Sequence, residues 1–522
     1  MRSVRHLLSV ALLVLSAVGA AAAQDGPVVV DGRFGEWEGV APAVVDPADA
    51  PAPYADLRRV QARFDAEGTY LALEFEREVT LQGLPGTLAL LLTWTPGGWD
   101  AHGVEGVSAA VEFSPAWEPG AAPAGIGVRM MDSAGGPPLL TTANHAGIVV
   151  APTHAARRFE LRIPRGGLLP VDGPMTARIV ALDADGRVVD EAGAFVLDPG
   201  RRDHPRPTPP GHGAADPLAR APGTDFRVVS WNVGREDLFR EPDAFGALLR
   251  PLAPDLLMLD EVEGGHSAAE VEALLDRILP GDRPWRAVYG VSGGPQRGVI
   301  ATRGSAPRIV APFTDVLPYP DSARVVIPAN AAEDARAWLQ SRMESHVPAT
   351  GAIAEVAGRR ILAVAVDLES GGTAGSAKDR LRDTEADAIR DATEAALMAN
   401  VREEQLNGLL IAGDLNLVGS VAPLEVLLRP VTDGPPLAVA LPLRLDGASA
   451  ATWENPEEPF TPGRLDYVLY HPAFMAVTGG FVFRVADLSP AWLARHGLDA
   501  DASRVTDHLP VVTDLRWVDR PR

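Results

Sequence analysis

A proline-rich break at residues 199–224 divides the chain into two stretches whose hydrophobic patterns cannot share one core. Pro199, Pro205, Pro207, Pro209 and Pro210 lie there among Arg, His, Gly and Asp with no apolar periodicity, the pattern of a semi-extended linker. Before the break, residues 27–198 alternate with period two. Val60, Ala62 and Phe64 lead to a turn at Asp65-Ala66-Glu67-Gly68, and Leu71, Leu73 and Phe75 return from it, which predicts a hairpin. Leu88–Trp94, Val107–Phe113, Ile126–Met131, Phe159–Ile163 and Ala177–Leu182 are further strand candidates between Gly/Pro clusters. Short strands at such spacing predict an all-β sandwich, an accessory module. After the break, at residues 225–522, apolar runs (Phe226–Trp231, Leu256–Leu259, Ile361–Val366, Leu409–Ala412) alternate with helical patterns (Pro242–Arg250, Ala268–Ile278, Arg380–Val401). That alternation predicts a mixed α/β domain. A chain of 522 residues also exceeds what one core usually holds, so two domains are expected.

Composition narrows the chemistry. The chain has no cysteine, which excludes disulfide scaffolds, thiolate metal sites and a Cys nucleophile. Lys378 is its only lysine, so Schiff-base catalysis is not expected. The formal net charge is −22, which repels phosphate polymers at long range. At the N-terminus, Arg2 and Arg5 precede an apolar stretch from Leu7 to Val18 and small residues Ala20 to Ala23. Residues 1–23 read as a cleaved signal peptide, because the apolar run is short for a spanning helix, with an uncleaved anchor as the alternative. A secreted or periplasmic monomer with no transmembrane span in the mature chain is expected.

Polar residues end several apolar runs of the second domain. Asn232 follows Val228-Val229-Ser230-Trp231, and Glu261 follows Leu256 to Asp260. Asp414 and Asn416 follow Leu409 to Gly413, Asp466 precedes Tyr467-Val468-Leu469-Tyr470, and Asp507-His508 precedes Leu509-Pro510-Val511-Val512. One such residue commonly just caps a turn, but five sites in one domain fit the strand ends where open sheets gather function. Hard oxygen donors without Cys suit Mg²⁺ or Mn²⁺. A divalent ion with a histidine equips a site for phosphoester hydrolysis.

Taken in order, Ser230-Trp231-Asn232, Leu259-Asp260-Glu261-Val262, Gly413-Asp414-Leu415-Asn416, Arg464-Leu465-Asp466-Tyr467 and Thr506-Asp507-His508-Leu509-Pro510 resemble the endonuclease/exonuclease/phosphatase superfamily. The resemblance implies a four-layer α/β sandwich of two packed sheets flanked by helices, and a metal-dependent phosphoester hydrolase. It implies Asn232, Glu261 and Asp507 as metal ligands for Mg²⁺ or Mn²⁺. Asp414 is then the residue that orients or deprotonates water, Asn416 a donor to the phosphate, and His508 the imidazole held by Asp466. The substrate is a phosphoester: nucleic acid, nucleotide, inositol phosphate or lipid headgroup. One position departs. Asp367 stands where the family carries a histidine, and a carboxylate there cannot donate to phosphate unless it is protonated or metal-bound. Asp367 is weighed equally as a turn residue.

Two other readings remain open at this stage. One is a phospholipid or sphingolipid phosphodiesterase, which calls for an exposed apolar patch at the site mouth. The other is a catalytically weak binding or adhesion protein. Asp31-Gly32, Glu36-Trp37 and Asp56-Leu57 give the first domain a loose resemblance to extracellular β-sandwich modules related to carbohydrate-binding domains. Trp37, Trp94, Trp99 and Trp117 are candidates for a sugar platform, with core packing favoured for them. Asp183-Ala184-Asp185-Gly186 reads as a hairpin turn, and Arg380 and Arg382 as partners in surface ion pairs.

Overall fold

The N-terminal strands pair into two sheets that enclose one core. In a computed structural model the chain is described at residues 26–518, apart from 53, 95–97, 119–120, 132–136, 170–172, 204, 329, 401–404 and 432–433. The signal-peptide assignment at 1–23 and His204 therefore lie outside the described residues. One sheet orders Pro42–Val45, Leu57–Phe64, Gly68–Val79, Ala156–Pro164 and Val149–Ala151. The other orders Val188–Leu197, Met175–Leu182, Thr87–Thr93, Ala109–Phe113, Ile126–Met130 and Leu139–Thr142. Period-two alternation places Leu71, Leu73 and Phe75 of one sheet against Leu88, Leu90, Val111 and Ile179 of the other. The expected hairpin closes at Asp65, whose Oδ1 accepts from the Glu67 and Gly68 N–H groups at 2.8 and 3.0 Å. The turn at Asp183 likewise joins two paired strands, with Asp183 Oδ1 accepting from the Asp185 N–H. Trp37 is only 1% exposed and donates from its Nε1 to Glu160 Oε2 at 3.0 Å. It belongs to the interior and not to a sugar platform.

The C-terminal domain is the expected four-layer sandwich. A seven-stranded sheet orders Trp285–Tyr289, Gln296–Arg303, Leu256–Glu263, Phe226–Arg235, Val511–Trp517, Met475–Val482 and Leu443–Arg444. A six-stranded sheet orders Arg308–Ile309, Ala349–Val356, Arg359–Asp367, Leu409–Asp414, Asp466–Tyr470 and Ala438–Val439. Strand alternation divides their side chains. Phe226, Val228, Leu256 and Met258 meet Ile361, Ala363, Ala365 and Leu410 between the sheets. Val229, Trp231, Leu257 and Leu259 face outward onto Phe245, Leu248, Val271 and Leu275, which belong to the helices Pro242–Leu252 and Ala268–Ile278. Leu362, Val364 and Val366 face the long helix Ala377–Asn400 through Leu381 and Ile389. A strand buried on both faces reads as a continuous apolar run, which is why these strands were visible in the sequence. Among the described residues no helix is long and apolar enough to cross a membrane.

The segment joining the two domains is not the loosely attached linker its prolines suggested. Arg206, with its side chain 5% exposed, donates to Asp65 Oδ2 at 3.0 Å, Tyr70 Oη at 2.8 Å and the Gly447 carbonyl at 2.8 Å. It thereby ties both domains to the segment. Leu218 is buried in the C-terminal core. The domains also bond directly. Val30 pairs with the 448–450 backbone. Thr153 Oγ1 donates to the Leu417 carbonyl at 2.7 Å, the Ala155 N–H to Gly419 at 2.7 Å and the Ile126 N–H to Pro459 at 2.8 Å. At Gly125, with φ of +70°, a Cβ would stand 2.1 Å from the Pro459 carbonyl oxygen, so only glycine permits this approach.

Candidate active site

Strand register assembles the site. Asp367 pairs with Asp414 across parallel strands, and Asp414 pairs with Asp466 across antiparallel ones. Three carboxylates thus stand side by side at adjacent strand ends. In the facing sheet Asn232 pairs with Asp260, and the register then shifts before Arg235 meets Val262. At this irregularity Glu261 adopts a φ of +52°. A bulge of this kind re-aims a side chain: Asp260 stays between the sheets while Glu261 lines the cleft. Asn416 also has positive φ, +47°, a conformation that asparagine tolerates better than most residues.

His508 is the centre of the polar network and is 7% exposed. Its Nδ1 lies 2.9 Å from Asp466 Oδ2 and its Nε2 3.6 Å from Asp414 Oδ2. Thr452 Oγ1 donates to Asp466 Oδ2 at 2.6 Å and accepts from the Leu465 and Asp466 N–H groups at 3.0 Å each. Trp231 Nε1 donates to the His508 carbonyl at 3.0 Å. Burial disfavours the charged ring, but the Asp466 and Asp414 carboxylates outweigh it and raise the His508 pKa well above its ordinary value. The pKa of Asp414 is pushed up to about 7, by burial first and by repulsion from Asp466 and Glu261, with His508 opposing.

The candidate metal ligands lie along the same cleft. Asn232 Nδ2 donates to Glu261 Oε1 at 3.1 Å, and Asn232 Oδ1 accepts from the Gly234 N–H at 3.1 Å. Glu261 Oε2 is 3.7 Å from Arg235 Nε. Trp453 Nε1 donates to Asp507 Oδ2 at 2.9 Å. Asp260 is 1% exposed, and neither of its carboxylate oxygens has a hydrogen-bond partner. Burial, then Asp466 and Asp414, raises its pKa well above the carboxylate range. Asp367 is 7% exposed and is raised likewise, by burial and then by Glu261 and Asp414. Six carboxylates, Asp260, Glu261, Asp367, Asp414, Asp466 and Asp507, gather around a single imidazole, and both oxygens of Asp260 are unpartnered. This hard-oxygen donor set in a dry setting fits a divalent cation.

Asn416 departs from its expected role. Its Nδ2 donates to Asp414 Oδ2 and to the Leu368 carbonyl, both at 2.9 Å, and its N–H to Asp414 Oδ1 at 2.8 Å. Both amide hydrogens are engaged, so Asn416 positions Asp414 rather than presenting a donor to phosphate. Arg382 is neither on the surface nor in the cleft. It is fully buried, pairs with Asp379 at 3.3 Å and donates to the Glu369 carbonyl at 2.9 Å and to that of Gly371, which anchors the loop that lines the cleft at Ser370 to Thr373. Thr452, Trp453 and Asp260 were not singled out from the sequence. Thr452 and Trp453 have no local signature. Asp260 had one, a second carboxylate inside an otherwise apolar strand.

The cleft has a volume of about 560 Å³. The β-sandwich supplies Thr80, Gln82, Pro123, Ala124 and Thr153 to its lining, opposite Asn232, Glu261, Asp414, Asp507 and His508. Outside it, the acidic side chains Asp46, Asp49 and Asp190 of the sandwich bring carboxylate oxygens within 4.8 Å of one another.

The sequence profile of the endonuclease/exonuclease/phosphatase family matches residues 229–508. The chain belongs to this family, and its C-terminal domain has the fold of the family's phosphoester hydrolases. Among solved structures it is similar to the human Nocturnin catalytic domain with bound sulfate, at 16% identity over 56% of this chain and 94% of that one, with a TM-score of 0.33. It is also similar to a D. rerio TDP2 humanized by 14 mutations, at 16% identity over 56% and 98%, TM-score 0.35. A third is ANGEL2, a 2',3'-cyclic phosphatase, at 13% identity over 57% and 96%, TM-score 0.36. No curated protein sequence matches the chain.

Proposed function

We propose that this chain is an exported, metal-dependent phosphoric ester hydrolase. The observation that carries the reading is the buried Asp466–His508–Asp414 row, with its 2.9 and 3.6 Å separations, on the floor of a cleft that Glu261, Asn232 and Asp507 also line. Glu261, Asp507 and the Asn232 carbonyl oxygen are the residues that would hold Mg²⁺ or Mn²⁺. When bound, such an ion neutralises phosphate oxygens and polarises the phosphorus centre. The chain supplies the rest. Asp414, with a pKa near neutrality, accepts a proton from water as that water's oxygen bonds to phosphorus and the ester P–O bond breaks, and the leaving oxygen takes a proton from solvent. His508, kept cationic by Asp466, donates to a phosphate oxygen. Asn416 and Thr452 orient the two carboxylates. Export rests on the leader-like residues 1–23.

Glu261→Gln tests this reading. Hydrolysis of bis(p-nitrophenyl) phosphate is titrated with Mg²⁺ and Mn²⁺, and metal binding is followed by calorimetry. The variant should need at least about tenfold more metal for half-maximal activity. Wild-type metal affinity and turnover in Glu261→Gln would show that the ligand set is misplaced. Because Asp46, Asp49 and Asp190 form a second acidic cluster, chelator sensitivity alone does not identify the catalytic ion, and the variant does.

A further inference from the structure

The charged residues lining the cleft are Glu261, Asp414, Glu458, Asp507 and His508, and no Lys or Arg is among the lining residues. A nucleic-acid site depends on cationic contacts to successive phosphates, about 6–10 of them for a typical duplex binder. Among the described residues none of the cleft's lining side chains is a Lys or Arg; the exposed Arg235 stands outside that lining, 3.7 Å from Glu261. The volume of about 560 Å³ lies within the roughly 300–1,000 Å³ range of small-molecule clefts.

The wall that limits this space comes from the β-sandwich and is fixed in place. Gln82 Oε1 accepts from the Thr461 N–H at 2.8 Å, and Thr461 Oγ1 donates to the Ile148 carbonyl at 3.0 Å. Thr80 Oγ1 accepts from the Ala374 N–H at 3.2 Å. A Cβ on Gly83 would lie 2.3 Å from the Thr373 side chain. With Oε1 anchored, Gln82 keeps its amide N–H donors for a ligand. Thr80, Gln82, Thr153, Asn455 and Thr461 give the cavity neutral hydrogen-bonding groups beside the exposed ring of Phe460.

We propose that the β-sandwich is a wall of the active site. It restricts the enzyme to small phosphoesters that carry one phosphate and an uncharged, hydroxylated or aromatic remainder, and it excludes nucleic-acid polymers. The inference rests on the phosphoester-hydrolase reading and assigns the accessory module a part in substrate selection.

The test introduces charge on the wall. Gln82→Glu keeps an acceptor for the Thr461 N–H and adds an anion facing the cleft; Gln82→Lys adds a cation. Wild type and both variants are assayed with Mn²⁺ on bis(p-nitrophenyl) phosphate, glycerol 1-phosphate, a single-stranded oligonucleotide, plasmid DNA and sphingomyelin vesicles, with Tm measured alongside. Wild type should turn over the small esters and leave the polymers and vesicles intact. Gln82→Glu should raise KM for the small esters about tenfold, the effect of roughly 1.4 kcal/mol of added repulsion, with kcat within about twofold. Gln82→Lys should bring cleavage of the oligonucleotide into the measurable range. Wild-type cleavage of plasmid DNA or vesicles at rates matching the small esters overturns the proposal, as does an unchanged KM in a folded Gln82→Glu. If wild type hydrolyses nothing, the hydrolase reading fails. The wall is then judged by calorimetry with glycerol 1-phosphate, where equal binding by wild type and Gln82→Glu overturns it.

Discussion

Replacing Asp466 with asparagine separates catalysis from stability. Asp466 is 1% exposed. Its Oδ2 accepts from Thr452 and His508, while Oδ1 has no partner. Asparagine with its carbonyl oxygen in the Oδ2 position can still accept from Thr452 Oγ1 and from His508 Nδ1–H, but it brings no negative charge to the ring, and the imidazolium loses that support. What is lost is one charge-assisted hydrogen bond, worth about 1.5–3 kcal/mol, and at about 1.36 kcal/mol per tenfold the turnover should fall roughly 10- to 150-fold. Asp466 and Asp414 raise the His508 pKa against the opposing effect of burial. Activity that needs the imidazolium is lost as pH rises through that pKa, and in Asp466→Asn the loss should begin at lower pH. Stability should move the other way. The substitution removes an anion that repels Asp260 and Asp414, so the metal-free Tm should hold or rise. Paired pH–rate profiles and calorimetric melts measure both. Unchanged turnover and an unchanged alkaline limb would refute the role given to this pair. Activity loss that only follows a lowered Tm would make Asp466 a structural residue.

Two further outcomes follow from the domain arrangement. Arg206→Ala removes the buried hydrogen bonds to Asp65, Tyr70 and the Gly447 carbonyl. It should lower stability by about 1–3 kcal/mol in denaturant unfolding, and proteolysis between residues 205 and 223 should not release two separable fragments from the wild type. The Asp190 pKa is pushed up to about 6 by burial and by the Asp46 carboxylate. Between about pH 4 and 6 the folded state therefore holds a proton that the unfolded chain has released, and stability falls as pH rises through that window. In chelator, Asp190→Asn should remove this fall, by on the order of 1 kcal/mol once solvent screening of the half-exposed side chain is allowed for; parallel Tm–pH curves for wild type and variant would count against it.

The strand ends that carry the candidate site were legible because buried strands are written as apolar runs, and a run such as Leu409–Ala412 that leads to Asp414 marks where a polar end begins. Register was not legible. That Asp367, Asp414 and Asp466 stand abreast depends on pairing between strands far apart in sequence, and no local pattern encodes it. The same limit hid Asp260. Adjacent residues of a regular strand face opposite ways, so Asp260 and Glu261 read as one inward and one outward carboxylate. The bulge at Glu261 instead keeps one between the sheets and turns the other into the cleft. Asn416 shows the reverse error: a motif identified the residue, while only the geometry showed that its hydrogens are already engaged.

The wall was invisible for a different reason. Its seam is made almost wholly of backbone groups and small neutral side chains: the Ile126 N–H to Pro459, Thr153 to Leu417, the Thr461 N–H to Gln82. Such contacts leave no periodicity and no charge pattern for a sequence to display. They need only the absence of bulk, as at Gly125 and Gly83. The prolines of residues 199–224 mark a semi-extended linker, but a proline pattern says nothing about what a side chain such as Arg206 reaches. Under the proposal that this seam selects the substrate, the strand-end residues that place the chain in its family are not the residues that choose the ester.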